Sequence, residues 1–428
     1  MSKSTTRTIV VSRLGARRTV VTANPSNVEF ILKTNFHNFP KGRPFTEILG
    51  DLLGCGIFNV DGELWSEQRK MASHGFSTKS LKHFIVKTLE EEVHQRLIPL
   101  LESASIANRV VDLQEILRRF TFDSVCKVSL GTDPCCLDLS QPLPPLVMAF
   151  DSASAISATR ATAPVSPIWK IKRALGVGSE KSLREAIQLV HESVLEIIKI
   201  KKKKISDENK NSSSDNNSND NNKSNDDLLT RLLLAGHDEV LHPSKEEMIV
   251  KEVKSVFGDE INKMIIKPFD YEGLKGMKFL KACLCESMRL YPPVPWDSKH
   301  AAEDDVLPDG TPVRRGDRVT YFPYGMGRME DLWGKDCHEF KPDRWFDESA
   351  DEEDRVLKYV SAYKFPVFQA GPRVCLGKEM AFIQMKYVVA AILSRFRIKP
   401  VCENQPVFVP LLTAHMAGGF KVRVQKKH

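Results

Sequence analysis

The chain has 428 residues, of which 42% are hydrophobic and 27% charged. These proportions suit a globular protein whose core is large enough to enclose a cofactor. They exclude a collagen, a mainly disordered chain and a small disulfide scaffold. Its 62 basic side chains exceed 55 acidic ones, for a net charge of +7, compatible with an anionic partner but too slight to argue for nucleic acid.

Taken in chain order, Thr8–Val11 and Arg18–Val21 read as two short strands around Gly15. A helix begins at Pro25, where proline suits the first turn. From Leu64 to Leu130 apolar residues recur at i, i+3, i+4 and predict helices, and Leu183–Ile200 does the same. Lys199 and Lys201–Lys204 form a basic run at the expected end of that helix. Residues 206–227 hold only Ser, Asn, Asp, Lys and Glu. Without apolar surface to bury they predict a disordered polar insertion within one domain spanning 1–428. Helical patterns return at Leu228–Leu234, Lys245–Phe257 and Leu280–Leu290, the last stopped by Pro292-Pro293. An Asp309-Gly310 turn and a strand over Arg318–Phe322 follow, and a final helix starts near Gly377. The expected fold class is mainly α with a minor β part. No apolar run of about 18 residues is present, so no transmembrane helix is expected, and Met1–Thr8 lacks the apolar centre of a signal peptide. The nine cysteines include no Cys-x-x-Cys pair, which argues for free thiols in a reducing compartment.

The densest local signal is Phe368-Gln-Ala-Gly371-Pro-Arg373-Val-Cys375-Leu-Gly377, a cysteine in a glycine-bracketed turn just ahead of an apolar helix. A helix N-terminus offers free N–H groups and positive dipole character, which favour a thiolate. Gly371 and Gly377 would let the backbone pass close to something flat and large. Phe368 would shield the sulfur, and Arg373 would pair with an anionic group. Such a thiolate is the axial ligand that pushes electron density onto a haem iron. For a lone cysteine a buried structural role is the plainer reading; here the set spacing of Phe, Gly, Arg, Cys and Gly favours the ligand.

The segment resembles the haem-binding loop of the cytochrome P450 superfamily, and three other segments agree with it. Glu286-Ser-Met-Arg289 resembles the E-x-x-R helix. Phe340–Trp345 resembles the later segment whose arginine, here Arg344, completes a Glu–Arg–Arg network. Trp65–Arg69 resembles the W-x-x-x-R helix that reaches a haem propionate. Glu286 and Arg289 lie one helical turn apart and can pair; once buried they need a further partner, which Arg344 can supply. His300 stands where the superfamily often has another propionate-binding basic residue. Tyr291–Ala301, Leu307–Thr311 and Tyr321–Arg328 are similar to plant fatty-acid ω-hydroxylases, a group that includes enzymes hydroxylating the end of the jasmonoyl-isoleucine side chain.

The resemblance implies the cytochrome P450 fold and haem b ligated by Cys375, with Arg373, Phe368, Gly371, Gly377, Trp65, Arg69 and His300 around it. It implies a monooxygenase that uses O2 to hydroxylate the terminal carbon of a small lipophilic acid, a fatty acid or a jasmonoyl-amino-acid conjugate. Electrons would come from NADPH–cytochrome P450 reductase, docked on a basic face that includes Lys70, Arg373, Lys378 and Lys386. A monomer at the cytosolic face of the endoplasmic reticulum membrane is implied. Substrate-lining positions would fall in the loop around Phe45–Phe58, at Val294–Trp296 and at Leu411–Met416, mostly apolar as a hydrocarbon tail requires.

Two departures stand out. Family members begin with an apolar anchor and a proline-rich hinge, and this sequence has neither. The long central helix that crosses the haem face and carries A-G-x-D/E-T is missing or shortened. Its nearest match is Ala235-Gly-His-Asp238-Glu239, with Glu239 in place of the threonine, and Val240–Pro243 already resembles the start of the next helix. About 20 residues at about 1.5 Å each are needed for such a helix. The expectation is a deletion that leaves the oxygen-activating acid–alcohol pair unassigned, uncovers one side of the haem pocket and exposes neighbouring apolar faces. The competing reading of function is therefore a truncated, non-catalytic relative.

Overall fold

The computed structural model describes residues 4–12, 17–77, 79–162, 166–211, 243–257, 269–347, 355–401, 407–410 and 412–427. The strands are β1 (Thr8–Val11), β2 (Thr19–Thr22), β3 (Val110–Asp112), β4 (Asp297–His300), β5 (Asp305–Val306), β6 (Pro312–Val313), β7 (Arg318–Tyr321), β8 (Phe396–Pro400), β9 (Phe408–Val409), β10 (His415–Met416) and β11 (Lys421–Lys426). The helices of the first half are α1 (Pro25–Glu29), α2 (Gly42–Leu53), α3 (Gly62–Ser77), α4 (Lys79–Glu92), α5 (Ile98–Ile106), α6 (Leu113–Leu130), α7 (Pro145–Thr162), α8 (Ser166–Leu175) and α9 (Ser179–Asn211). Those of the second half are α10 (Pro243–Phe257), α11 (Tyr271–Gly276), α12 (Lys278–Leu290), the short α13 (Pro323–Met326) and α14 (Glu330–Trp333), and α15 (Lys378–Arg395). The mainly helical architecture with a minor β part is the one the sequence predicts.

Local chemistry explains several boundaries. Asn24 accepts the Ser26 N–H and Pro25 sets the first turn of α1, so the chain passes from β2 into helix. Gly310 takes φ +83 in the turn between β5 and β6, as the Asp-Gly signal requires. α12 ends at Tyr291 ahead of two prolines. β1, β2, β7 and β4 form one sheet in that order, with β2 and β7 parallel and the other pairs antiparallel. A second sheet has the order β3-β11-β8.

The largest apolar core joins α4, α5, α6, α10, α12 and α15 around Leu97, Phe120, Phe269 and Tyr387. A second, against the first sheet, holds Val20, Ile31, Leu32, Val319 and Tyr321. Only Ala149, Ala153, Leu183 and Ala186 form the buried cluster between α7 and α9, while Met148 and Leu195 on the same helices are 57% and 55% exposed.

Three expectations change. The helical run to Leu130 is interrupted by β3, whose three residues pair with β11 from the far end of the chain. α9 continues to Asn211. The lysine run is thus inside a helix rather than at its end, and the polar insertion expected from 206 opens as helical backbone; 212–227 lie outside the described residues. Most of the loop expected around Phe45–Phe58 is α2, because Pro44 falls in the first turn of a helix, where its missing N–H is harmless. Residues 228–234 and 235–239, with the whole expected deletion point, lie outside the described residues.

Asp112 joins the second sheet to the core. Its carboxylate accepts the Glu115 and Phe420 N–H groups and the Lys421 ammonium at 3.3, 2.9 and 2.9 Å. Burial pulls its pKa upward, but these donors outweigh burial and hold it below the ordinary carboxylate value. The folded chain therefore binds this proton less readily than the unfolded one, and the stabilisation present above the unfolded pKa is lost as pH falls through the folded pKa. Asp112→Ala should cost about 1–2 kcal/mol in chemical denaturation at neutral pH, and the gap between variant and parent should close in acid.

Candidate active site

α15 starts where the Gly377 carbonyl accepts the Ala381 N–H at 2.8 Å. The preceding chain turns twice, through Pro366–Phe368 and Gly371–Arg373, and presents Cys375, half-buried, before the helix. The Cys375 N–H donates to the Phe368 carbonyl at 2.8 Å. Gly371 has φ +62, and a Cβ there would lie 2.0 Å from the Leu32 carbonyl oxygen, so the turn is pressed against the second core and only glycine fits. Gly377 has an ordinary φ of −80 and acts as the helix N-cap. The Phe368 ring packs on Phe382 of α15, centroids 5.3 Å apart.

α3 brings Trp65 and Arg69 to this turn. The Arg373 guanidinium stands 4.5 Å over the Trp65 ring and donates to Asp61 at 2.6 Å and to the Val60 carbonyl at 3.1 Å. Arg69 makes no ion pair among the described residues; burial lowers its pKa and the nearby Cys375 sulfur opposes the shift. His300 reaches the same place from the end of β4. Its Nδ1 donates to the Lys41 carbonyl at 2.5 Å, and its Nε2 is buried without a partner. Burial holds the imidazole below its usual pKa.

Sequence reasoning missed Lys41, Asp61, Asp297 and Lys299. Asp61 gathers the N–H groups of Lys41 and Gly42, each at 3.0 Å, along with Arg373. Asp297 accepts Lys299 Nζ at 2.7 Å. Burial, reinforced by Lys299 and Arg373, brings the Lys41 pKa down to about 7. Lys41, Arg69, Arg373 and Lys299 are thus four basic side chains facing two carboxylates, with Lys41 only partly charged at neutral pH.

Behind the turn, Glu286 and Arg289 are wholly buried. Arg289 Nε and Nη2 donate to Glu286 at 2.8 Å each. Arg344 Nε, the Lys341 N–H and Trp345 Nε1 add 2.8, 2.9 and 2.9 Å bonds to the same carboxylate. The structure thus brings together all three residues of the expected network and also Trp65, Arg69, Arg373, His300 and Cys375.

The cytochrome P450 family profile matches residues 2–240 and 239–414. The chain belongs to the cytochrome P450 family. It is 57% identical to cytochrome P450 94B1 of Arabidopsis thaliana over 446 aligned positions, covering 99% of this chain and 85% of the relative. It is 55% identical to cytochrome P450 94B3 of the same plant, covering 99% and 86%, and 41% identical to cytochrome P450 94A1 of Vicia sativa, covering 96% and 82%. The first alignment is longer than the 428-residue chain and so opens gaps within it. Members of the family are haem b monooxygenases that generally use O2 and NADPH–cytochrome P450 reductase.

The residues present fit a haem. Arg69, with no ion pair among the described residues, and Lys41, whose pKa burial lowers to about 7, mark a place short of negative charge, which two propionates would supply; the neutral His300 presents an Nε2 lone pair there, not a cation. Of the expected basic docking face, Lys70 and Lys378 are exposed. Arg373 and Lys386 are not: Arg373 is turned inward to Asp61, and Lys386 is buried, its Nζ donating to the Leu274 carbonyl at 2.7 Å and its pKa lowered by burial to about 8. Among the expected substrate-lining positions Val294 is exposed, Met416 is buried and Leu411 lies outside the described residues. Among the described residues no helix is long and apolar enough to cross a membrane.

Arg344→Met leaves part of a buried carboxylate unpaired, and denaturant unfolding should show a loss of about 3–5 kcal/mol. For Lys41 the folded pKa lies below the unfolded one, so from about pH 7 to about 10.5 the unfolded chain binds more protons. Stability of the haem-free protein should therefore rise with pH through that window. Lys41→Met should remove the rise, and haem loading should flatten it.

Proposed function

We propose that this chain is a haem-thiolate monooxygenase that hydroxylates the terminal carbon of a fatty acid or of a jasmonoyl-amino-acid conjugate. One observation carries the reading: the Cys375 turn lies beside a cluster of cations that lacks two negative charges. In this reading Cys375 would ligate the haem iron through its sulfur. Trp65, Arg69, Arg373 and Lys41 would hold the propionates, His300 would join them once a propionate's charge draws a proton to its Nε2, and Gly371 allows the close approach of the turn to Leu32. Glu286, Arg289 and Arg344 hold the scaffold behind the turn. The haem, once bound, supplies the oxygen chemistry. The side chains of the cluster would bind and orient it, and Phe368, packed on Phe382, would help keep water from the sulfur. The similarity of Tyr291–Ala301 and Tyr321–Arg328 to the plant ω-hydroxylase group supports the lipophilic-acid substrate.

A second reading is favoured by a specific observation. The family match divides at 239–240, and the alignment to cytochrome P450 94B1 exceeds the length of this chain. Both fit a chain that lacks the central oxygen-activating helix and holds haem without turnover.

The two readings separate in a reconstituted system with reductase, NADPH and O2, tested on saturated fatty acids and on jasmonoyl-isoleucine. The first predicts NADPH-dependent product with the hydroxyl on the terminal carbon, located by mass spectrometry. The second predicts haem uptake without product, and turnover gained when the aligned segment of cytochrome P450 94B1 is inserted between Glu239 and Val240. Product from neither the parent nor the insertion variant would contradict both.

A further inference from the structure

Gln369 has φ 62 and ψ −179, a region that is essentially glycine-only. A residue with a side chain persists there only when its surroundings over-determine it. Those surroundings are a buried polar group on the first sheet. Gln369 Nε2 donates to Asp297 Oδ2 at 2.9 Å. The Tyr321 hydroxyl lies 2.5 Å from Gln369 Oε1 and 2.9 Å from Asp297 Oδ2, and its single proton serves one of them at a time. Lys299 completes the group at 2.7 Å from the same carboxylate oxygen. Asp297, Lys299 and Tyr321 are buried, so each would be costly to leave unpaired.

The backbone consequence falls on the cysteine. Gln369 follows directly on Phe368, whose carbonyl accepts the Cys375 N–H. The Gln369 N–H in turn donates to the Pro366 carbonyl at 3.1 Å. The direction of the Phe368 carbonyl, and with it the seat of the cysteine N–H, is set by the peptide that the strained residue holds.

We propose that Gln369 is a positioning residue: its side chain, gripped by Asp297 and Tyr321 of the sheet, locks the left-handed turn that seats Cys375. The geometry stands without haem, whereas its consequence for the metal rests on the haem-thiolate reading. Gln369→Ala keeps a Cβ in the strained conformation and loses both bonds. Gln369→Gly loses the bonds and the strain together. The order of the two variants is therefore the signature, because mere space-filling would make glycine no better than alanine.

The test uses the full chain with two readouts. In haem-free protein, alkylation of Cys375 is timed by peptide mass mapping. In haem-loaded protein, the reduced carbonyl spectrum gives the ratio of thiolate-type to thiol-type ligation. Gln369→Ala should speed alkylation about fivefold or more and shift the spectrum toward the thiol type, while Gln369→Gly should restore both toward the parent. Tyr321→Phe, which keeps the Gln369–Asp297 bond, should fall between parent and alanine and carries the test if the alanine variant does not fold. An alanine variant like the parent, a glycine variant as labile as alanine, or an unchanged Tyr321→Phe would each overturn the proposal. A parent that takes up no haem would count against the haem reading alone, since the alkylation series still decides the role of Gln369.

Discussion

The carboxylate of Glu286 is the interaction on which the rest of this structure depends. It is fully buried and satisfied by five donors, two from Arg289 and one each from Arg344, Lys341 and Trp345. Arg289 in turn ties α12 to the carbonyls of Cys337 and Glu339 at 2.6 and 3.0 Å, and to that of Gly327. A Cβ at Gly327 would lie 2.0 Å from the Arg289 carbonyl, so the chain from 327 to 345, regular only in the short α14 and a 3-10 turn at Pro342–Trp345, is held largely by charge-assisted bonds and close backbone contact. A buried charge of this kind stabilises only when every lone pair is met, and here they are met from one helix and one long loop. Phe365, immediately ahead of the cysteine turn, packs at 4.9 Å on Trp345, so the network and the turn share one wall.

The front of the wall follows the opposite rule. Lys41, Arg69, Arg373 and Lys299 outnumber Asp61 and Asp297, and burial together with the neighbouring cations brings the Lys41 pKa down to about 7. Haem-free, such a cluster is a destabilising concentration of like charge. In the proposed reading, two propionates would turn the same residues into ion pairs. In that reading part of the haem affinity is stored as repulsion that the cofactor would relieve, which would link folding and haem binding through these side chains.

What the sequence made legible was what is local. Glu286 and Arg289 sit at i, i+3 on an apolar helix, and the Cys375 turn has its glycines and helix N-terminus within ten residues; both patterns survive without knowledge of the fold. Lys41 and Lys299 were not legible, because each looks like an ordinary solvated lysine until β4 is laid against the entry to α2. Gln369 was also passed over, although a long side chain where a cysteine turn calls for glycine is a visible anomaly. β3 has no local signal, since three residues become a strand only by pairing with β11. α2 was hidden by Gly42, Pro44, Gly50 and Gly54, which read as turn punctuation but leave an amphipathic helix intact.

The central claim is that Cys375, seated by this wall, ligates haem as a thiolate. The most direct measurement is the absorption spectrum of the purified, haem-supplied protein, reduced and exposed to carbon monoxide. A strongly red-shifted Soret band, lost in Cys375→Ser, is the predicted result. Absence of haem uptake, or a band at the position typical of a neutral or missing sulfur ligand, would contradict it.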